Sequence, residues 1–380
     1  MIKILQIIGA RPQIIKAAAL SRAIRNKFSD QIQDIIVHTG QHYDENMSNV
    51  FMREMQIPQE TYNLKIGSAS HGKQTAQMLQ RLEEVFELEK PDYVIVYGDT
   101  NSTLSAALAA IKMFIPIIHI EAGLRSFNKT MPEEINRIVC DHCSTILFSP
   151  TEAGIKNLQN EGFQINQTPP YSIHNPGVFY CGDIMYDNSL YFSSNFEQDS
   201  GIECSFIVPQ SDFVLVTIHR PSNTDSIENL SAICNSLISL TEQSLVTLVF
   251  PIHPRTKKIL EQFHLLELLK ANNKIMIIPP ASFFEMIVLE KKCKCVITDS
   301  GGVQKEAFFF KKPCVIVRDE TEWVEIVDAG CAVLTKPYSI AEKTIQMIQS
   351  PPLRYPLIFG DGNSAEFICE KIIQKADIPI

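Results

Sequence analysis

Apolar residues along this chain fall in short unbroken runs, not in alternation. Lys3–Ile8, Asp34–His38, Tyr93–Tyr97, Ile115–Ile120 and Thr145–Phe148 each read as a strand. Segments of helical period stand between them, from Pro12 to about Phe28 and from Gly72 to Lys90. Strands apolar on both faces, alternating with helices, predict a parallel sheet covered on both sides. The stretch Asn166–Asp183 changes character, with Thr168-Pro169-Pro170 and Asn175-Pro176-Gly177, and reads as a linker. Beyond it the alternation restarts. Strands are expected at Phe213–Ile218, Leu245–Pro251, Lys274–Ile278, Cys295–Thr298 and Cys314–Val317. Helices are expected at Ile227–Leu240, Lys257–Phe263, Phe284–Lys292, Val303–Phe310, Ala341–Gln349 and Ser364–Lys375. The pattern predicts an α/β protein of two Rossmann-like, doubly wound domains in series.

Composition narrows the function. With 380 residues, 45% of them hydrophobic, the chain can fill two cores. A net charge of −9 argues against nucleic acid or a membrane surface as partner, though not against a local basic pocket for a phosphorylated small molecule. The ten cysteines are scattered. The tract Cys140-Asp141-His142-Cys143 looks like a metal motif, but no second pair follows at finger spacing, so no metal is expected. The apolar stretch Leu104–Ile120 is broken by Lys112, Pro116 and His119 and falls short of a membrane span. Met1-Ile2-Lys3-Ile4-Leu5 runs straight into a strand without a signal-peptide pattern. With many unpaired-looking cysteines, this points to the cytoplasm.

Ligands of doubly wound sheets bind beyond the carboxyl ends of the strands, so the residues just after each strand carry the chemistry. After the first strand come Gly9 and Arg11-Pro12…Lys16, two cations near a helix start, where anions are favoured. Asp99 follows the strand Tyr93–Tyr97, and Glu121 follows Ile115–Ile120. Glu133 and Glu134 open the next helix, where acidic residues are common for the dipole alone. Carboxylates gathered at one site repel each other, and the resulting pKa shifts suit acid–base work. In the second half His219 and His253 each end an apolar strand. The sharpest signal is Asp299-Ser300-Gly301-Gly302…Glu306: strand, two glycines, then a helix whose free N–H groups face an anion. Glu306, one turn in, is placed to accept from sugar hydroxyls.

Taken together, these residues resemble the non-hydrolysing UDP-N-acetylglucosamine 2-epimerase family. The likeness runs through Gly9-Ala10-Arg11-Pro12…Lys16, Thr39-Gly40-Gln41-His42, Gly98-Asp99-Thr100, His119-Ile120-Glu121-Ala122-Gly123-Leu124-Arg125, Pro132-Glu133-Glu134-Ile135-Asn136-Arg137, His219-Arg220, Asp299-Ser300-Gly301-Gly302, Arg318-Asp319 and Gly360-Asp361-Gly362. It implies a GT-B-like fold, with two Rossmann-like domains facing a cleft. The expected division is 1–170, carrying the catalytic carboxylates, 171–362, binding UDP, and a helix over 363–380 that returns to the first domain. The resemblance implies a UDP-sugar substrate, no metal or nicotinamide cofactor, and a homodimer.

By similarity, Asp99, Glu121, Glu133 and His219 form the catalytic set. Arg11, Lys16, Ser300, Gly301, Gly302 and Glu306 bind the nucleotide and its phosphates, with His219 facing the phosphates or the sugar. Gln13 stands where many members have Glu, Ser222 where many have Glu, and Trp323 where some have a nucleotide-contacting Arg. Some relatives of this subgroup act on modified UDP sugars of the diacetamido-uronic acid type. The rival functions are a GT-B glycosyltransferase, a hydrolysing epimerase and a non-catalytic nucleotide sensor. The residues leave open which group moves which proton.

Overall fold

The structure, a computed structural model, describes residues 1–41, 52, 55–198, 205–244 and 246–376. The chain divides into two compact units, Met1–Asn188 with Leu357–Ile380, and Ser189–Pro356. The stretch Asn166–Asp183 lies inside the first unit.

The first unit holds β1 (Ile2–Ile8), β2 (Ile32–His38), β3 (Tyr62–Asn63), β4 (Tyr93–Tyr97), β5 (Ile117–Ile120), β6 (Ile146–Ser149) and β7 (Gly177–Tyr180). All pairings are parallel, in the order β3-β2-β1-β4-β5-β6-β7. Ile4, Leu5, Ile7 and Ile8 of β1 are all 0% exposed, because helices cover both faces of the sheet. On one face Val94, Val96 and Leu5 pack with Met78, Leu82 and Phe86 of the helix His71–Glu89 and with the alanines of the helix Asn101–Lys112.

The second unit holds β8 (Phe213–Thr217), β9 (Thr247–Pro251), β10 (Ile275–Ile278), β11 (Cys295–Thr298), β12 (Cys314–Ile316) and β13 (Ala332–Leu334). These too are all parallel, in the order β10-β9-β8-β11-β12-β13. Val214, Val216, Leu237, Leu240 and Ile297 anchor its core. Both units are therefore doubly wound α/β sheets. In each, the strand order reverses once, between β1 and β4 and between β8 and β11, which opens a crevice at the carboxyl ends of those strands.

Most of the expected strands are present with edges shifted by a residue or two. Of the expected Leu245–Pro251 strand, Leu245 lies outside the described residues. β3, β7 and β13 were not expected. They are two to four residues long and lie at or near sheet edges, where pairing defines a strand more than apolar pattern does. The helix expected from Val303 begins at Gly301, so both glycines are inside its first turn.

The helix Ser364–Ala376 packs against the helix Arg11–Ala23 of the first unit. Asp187, buried, fastens its start: Oδ1 accepts from Ser364 N at 3.2 Å and Oδ2 from Ala365 N at 2.7 Å. Burial raises the Asp187 pKa to about 6, against the pull of those two N–H groups. A carboxyl with a folded pKa above its unfolded value of 3.8 contributes stability below that value and loses it as pH rises through about 6. Asp187→Asn keeps one of the two acceptors and removes the buried charge. Urea unfolding should show Asn gaining on Asp by about 1–2 kcal/mol more at pH 8 than at pH 4.5. Asp187→Ala should destabilise at both pH values, by about 1 kcal/mol.

Candidate functional site

The first unit builds its site at the β1/β4 crevice. Gly9 ends β1 where a Cβ would lie 2.2 Å from Ser102 Oγ and 2.3 Å from Thr39 Oγ1, so only glycine fits. Thr39 and Ser102 share a 2.8 Å hydrogen bond, and Gln41 Oε1 accepts from Ser102 N and Oγ at 3.1 and 2.7 Å. His42, next in that run, lies outside the described residues. Gln13 Oε1 accepts from Gly9 N at 2.9 Å and Ala10 N at 3.1 Å, while its Nε2 donates to Tyr97 O and Thr103 Oγ1, both at 3.0 Å. One buried amide thus ties the end of β1 to the end of β4.

Lys16, buried, forms an ion pair with Glu121. Both flank Gly98, whose Cβ, if present, would lie 3.3 Å from Lys16 Nζ and 3.7 Å from Glu121 Oε2. Gly98 has φ +61° and Glu121 φ +76°. For glycine that conformation is free; for Glu121 it is strained, and such strain gathers at functional sites. Glu121 N and Ala122 N both donate to Phe148 O at 3.0 Å, which holds the turn in place.

Asp99 pairs with Arg137 of the helix Pro132–Cys143, and its carbonyl accepts from Asn136 Nδ2 at 2.8 Å. Glu133 stands one turn before Arg137, exposed, and the helical period places it on the same face. Its neighbour Glu134 is buried and fully engaged. It accepts from Ser126 N and Phe127 N at 2.9 Å and from Ser126 Oγ and Arg137 at 3.0 Å. Burial opposes its charge, but these donors outweigh burial and hold its pKa below the ordinary value. The structure thus separates the two adjacent glutamates: Glu134 fixes the 126–127 loop, and Glu133 faces solvent. Arg11 is exposed at the start of its helix.

Beneath these residues lies a buried charge network that sequence reasoning missed. His119 Nδ1 donates to Asp141 Oδ1 at 2.7 Å, and Nε2 donates to Gly98 O at 2.9 Å. Asp141 Oδ2 also meets Arg125 at 2.7 Å and Gly123 N at 3.1 Å, and Arg125 grips Glu161 with two 2.7 Å bonds. Burial disfavours the His119 charge, but Cys140 and Asp141 overcome it and push the pKa to about 10. His119 is therefore an imidazolium whose Nε2–H fixes the carbonyl of Gly98. The tract Cys140-Asp141-His142-Cys143 owes its look to this network, in which Asp141 is the working member.

The second unit builds its site at the β8/β11 crevice. Asp299, 0% exposed, accepts from His219 N at 3.1 Å, Arg220 N at 3.0 Å and Asn223 Nδ2 at 3.0 Å. Asn223 also donates to Val317 O at 3.0 Å. The His219 ring is 44% exposed, with Nδ1 3.3 Å from Asp299 Oδ1. Burial, His253 and Arg220 lower its pKa against the opposing charge of Asp299. The neutral ring, protonated on Nδ1, then presents Nε2 as an acceptor. His253 is engaged differently: its Nδ1 caps the helix Pro254–Gln262 by accepting from Arg255 N at 3.2 Å.

Ser300, Gly301 and Gly302 open the helix Gly301–Phe309 with no side-chain cap, which leaves first-turn N–H groups for a ligand. A Cβ on Gly301 would lie 2.4 Å from Glu322 Oε1. Glu322 in turn holds Arg318 at 2.8 Å and Arg220 at 3.7 Å. Trp323, buried, donates from Nε1 to Gly301 O at 3.1 Å, and Lys305 Nζ lies 4.4 Å from its ring centroid. Trp323 therefore supports the turn from its carbonyl side. Glu306 meets Glu290, a buried carboxyl on the helix Phe283–Lys292.

The family model for UDP-N-acetylglucosamine 2-epimerase matches residues 25–373. The chain belongs to this family. It is 47% identical to a UDP-N-acetylglucosamine 2-epimerase homolog of Methanococcus maripaludis, covering 97% of this chain and 98% of the relative. It is equally 47% identical to the UDP-2,3-diacetamido-2,3-dideoxy-D-glucuronate 2-epimerase of Pseudomonas aeruginosa, covering 87% of this chain and 88% of that protein. Among solved structures, Methanocaldococcus jannaschii UDP-GlcNAc 2-epimerase in complex with UDP-GlcNAc and UDP matches with a TM-score of 0.82 at 38% identity. That match covers 98% of this chain and all of that one. Of the motifs quoted from the sequence, Gly9, Lys16, Gly98, Asp99 and Glu121 lie at the first crevice and His219, Asp299, Ser300 and Gly301 at the second.

The His119–Asp141–Arg125 network yields a direct test. Asp141→Asn leaves two buried cations facing a neutral amide. It should destabilise the protein by roughly 3–5 kcal/mol in chemical denaturation. A loss under 1 kcal/mol would mean that Asp141 does not carry the charge of this network.

Proposed function

We propose that this epimerase inverts C2 of a UDP-linked 2-acetamido sugar, UDP-GlcNAc to UDP-ManNAc, without net hydrolysis. The observation that carries this reading is the family match through both units, with Lys16–Glu121 and Asp99–Arg137 at the first crevice and the Ser300-Gly301-Gly302 helix start at the second.

The chemistry follows from the substrate. No carbonyl is attached to C2, so its hydrogen is not acidic, and direct abstraction and return would be slow. If the C1–O bond to UDP breaks first, C1 becomes cationic and the C2 proton becomes acidic. A base removes it, and the C2–H electron pair closes a C1–C2 double bond, giving 2-acetamidoglucal and UDP. UDP oxygen then re-forms the bond to C1 while an acid protonates C2 from the opposite face. The balance is one proton out and one in, with no redox change.

Departing diphosphate is assigned to the Gly301–Phe309 helix start and to Arg11, which stabilise its growing charge electrostatically. Glu306 is assigned to the nucleoside. Asp99, Glu121, Glu133 and His219 are assigned to the proton transfers. Lys16 sits against Glu121 and holds its carboxylate in place. The reaction uses no metal or nicotinamide in this scheme. We place it in the cytoplasm, where the nine described cysteines, all free thiols, stay reduced, and in a homodimer. Among the described residues no helix is long and apolar enough to cross a membrane.

A second reading, with a UDP-2,3-diacetamido-uronate as substrate, is favoured by the equal identity to the Pseudomonas aeruginosa enzyme. Proton NMR in D2O decides. The main reading expects deuterium at C2 and a UDP-manno product from UDP-GlcNAc. Turnover restricted to the diacetamido-uronate moves the assignment to the second substrate. A sugar transferred to an acceptor, or free sugar without C2 exchange, overturns both. Asp99→Asn, Glu121→Gln and Glu133→Gln should each lower turnover by about 100-fold or more, with circular dichroism unchanged. Near-wild-type rates in any one remove that residue from the proton-transfer set.

A further inference from the structure

Glu290 has no role in the chemistry above, yet it is 0% exposed. It lies on the helix Phe283–Lys292, which packs on the helix Gly301–Phe309. Among the described residues, nothing donates a hydrogen bond to either of its oxygens. The group it meets is the carboxyl of Glu306, another acceptor. Two carboxylates in contact, one of them wholly out of water and the other half-buried, strongly disfavour a second charge, and a buried acceptor left unmet is costly. One proton held between them meets both demands. Glu290 is the deeper of the two and keeps that proton, because burial and the Glu306 charge both favour its neutral form.

We propose that Glu290 is a positioning residue, a buried carboxylic acid that donates its O–H to Glu306 and so fixes the Glu306 carboxylate toward the vicinal hydroxyls of the nucleotide ribose. This rests on the reading above that Glu306 holds the nucleoside. A glutamate one turn into a helix has three side-chain torsions to search. A charge-assisted bond from beneath removes most of that freedom before the ligand arrives, and pre-organisation of this kind appears as affinity. It also explains why a carboxyl is kept in an apolar layer between two helices. A leucine there would cost the fold little, since it removes the buried acid and leaves the half-buried Glu306 able to take a partner from water.

The test uses that divergence between affinity and stability. Calorimetric titrations with UDP and with 2′,3′-dideoxy-UDP are run on the full chain and on Glu290→Gln, Glu290→Leu, Glu290→Met and Glu306→Ala. Glu290→Leu should weaken UDP about tenfold, the weight of one charge-assisted hydrogen bond, with melting temperature unchanged or raised. Glu290→Gln, whose amide N–H also donates to Glu306, should restore UDP affinity. The dideoxy nucleotide should bind the wild type and Glu290→Leu alike. Glu290→Met serves the same purpose if the leucine variant does not fold. Unchanged UDP affinity in Glu290→Leu, with weakened binding in Glu306→Ala, overturns the role of Glu290 and leaves Glu306 in place. Unchanged affinity in Glu306→Ala overturns the nucleoside assignment and the proposal with it. Equal losses for UDP and dideoxy-UDP, with a lowered melting temperature, mark Glu290 as structural only and also overturn it.

Discussion

A carboxylate with no exposure to water must collect donors or cations, and Asp141 and Asp299 are both at 0%. Each resolves that demand by gathering the backbone of a loop that follows a strand. Asp299 draws in the N–H groups of His219 and Arg220 and the amide of Asn223. Asp141 draws in Gly123 N and the two cations His119 and Arg125. Parallel strands leave the loops at their carboxyl ends without ladder partners, and these two side chains supply the partners instead. The groups beside them, the half-exposed His219 in one unit and the largely buried Glu121 in the other, inherit fixed positions from these two acids.

The same constraint explains how much of the molecule was legible in its sequence. The continuous runs of β1, β4, β8 and β11 are visible because both faces of those strands are buried, and the residues directly after them were correctly singled out as polar strand ends. β3, β7 and β13 carried no such signal, since strands of two to four residues owe their existence to neighbours distant in sequence. Single-position patterns could separate neither Glu133 from Glu134 nor Asp141 from the cysteines around it. In both cases the distinction is which way a helical residue faces, and what it meets there comes from elsewhere in the chain. Glu290 was silent for a related reason. In an amphipathic helix an acidic residue reads as solvent-facing, and only the packing of the Phe283–Lys292 helix on its neighbour turns it inward.

The three departures from the family pattern differ in what the fold asks of them. Ser222 is exposed, and its carbonyl accepts from Asn229 at 2.9 Å, a bond that any side chain at that position would permit. Trp323 is held by its indole N–H on Gly301 O and by Lys305 over its ring. It therefore shapes the glycine turn from its carbonyl side, and its exchange for a charged residue changes the support of the helix start more than its reach. Gln13 is the most constrained. Its oxygen accepts two N–H groups from the end of β1, and its nitrogen donates to Tyr97 O and Thr103 Oγ1 at the end of β4. A glutamate could keep the first pair but has no N–H for the second, and Tyr97 O would be left with Thr103 as its side-chain donor. In this chain the crevice is closed by an amide because it joins two loops of opposite need, one offering donors and the other acceptors.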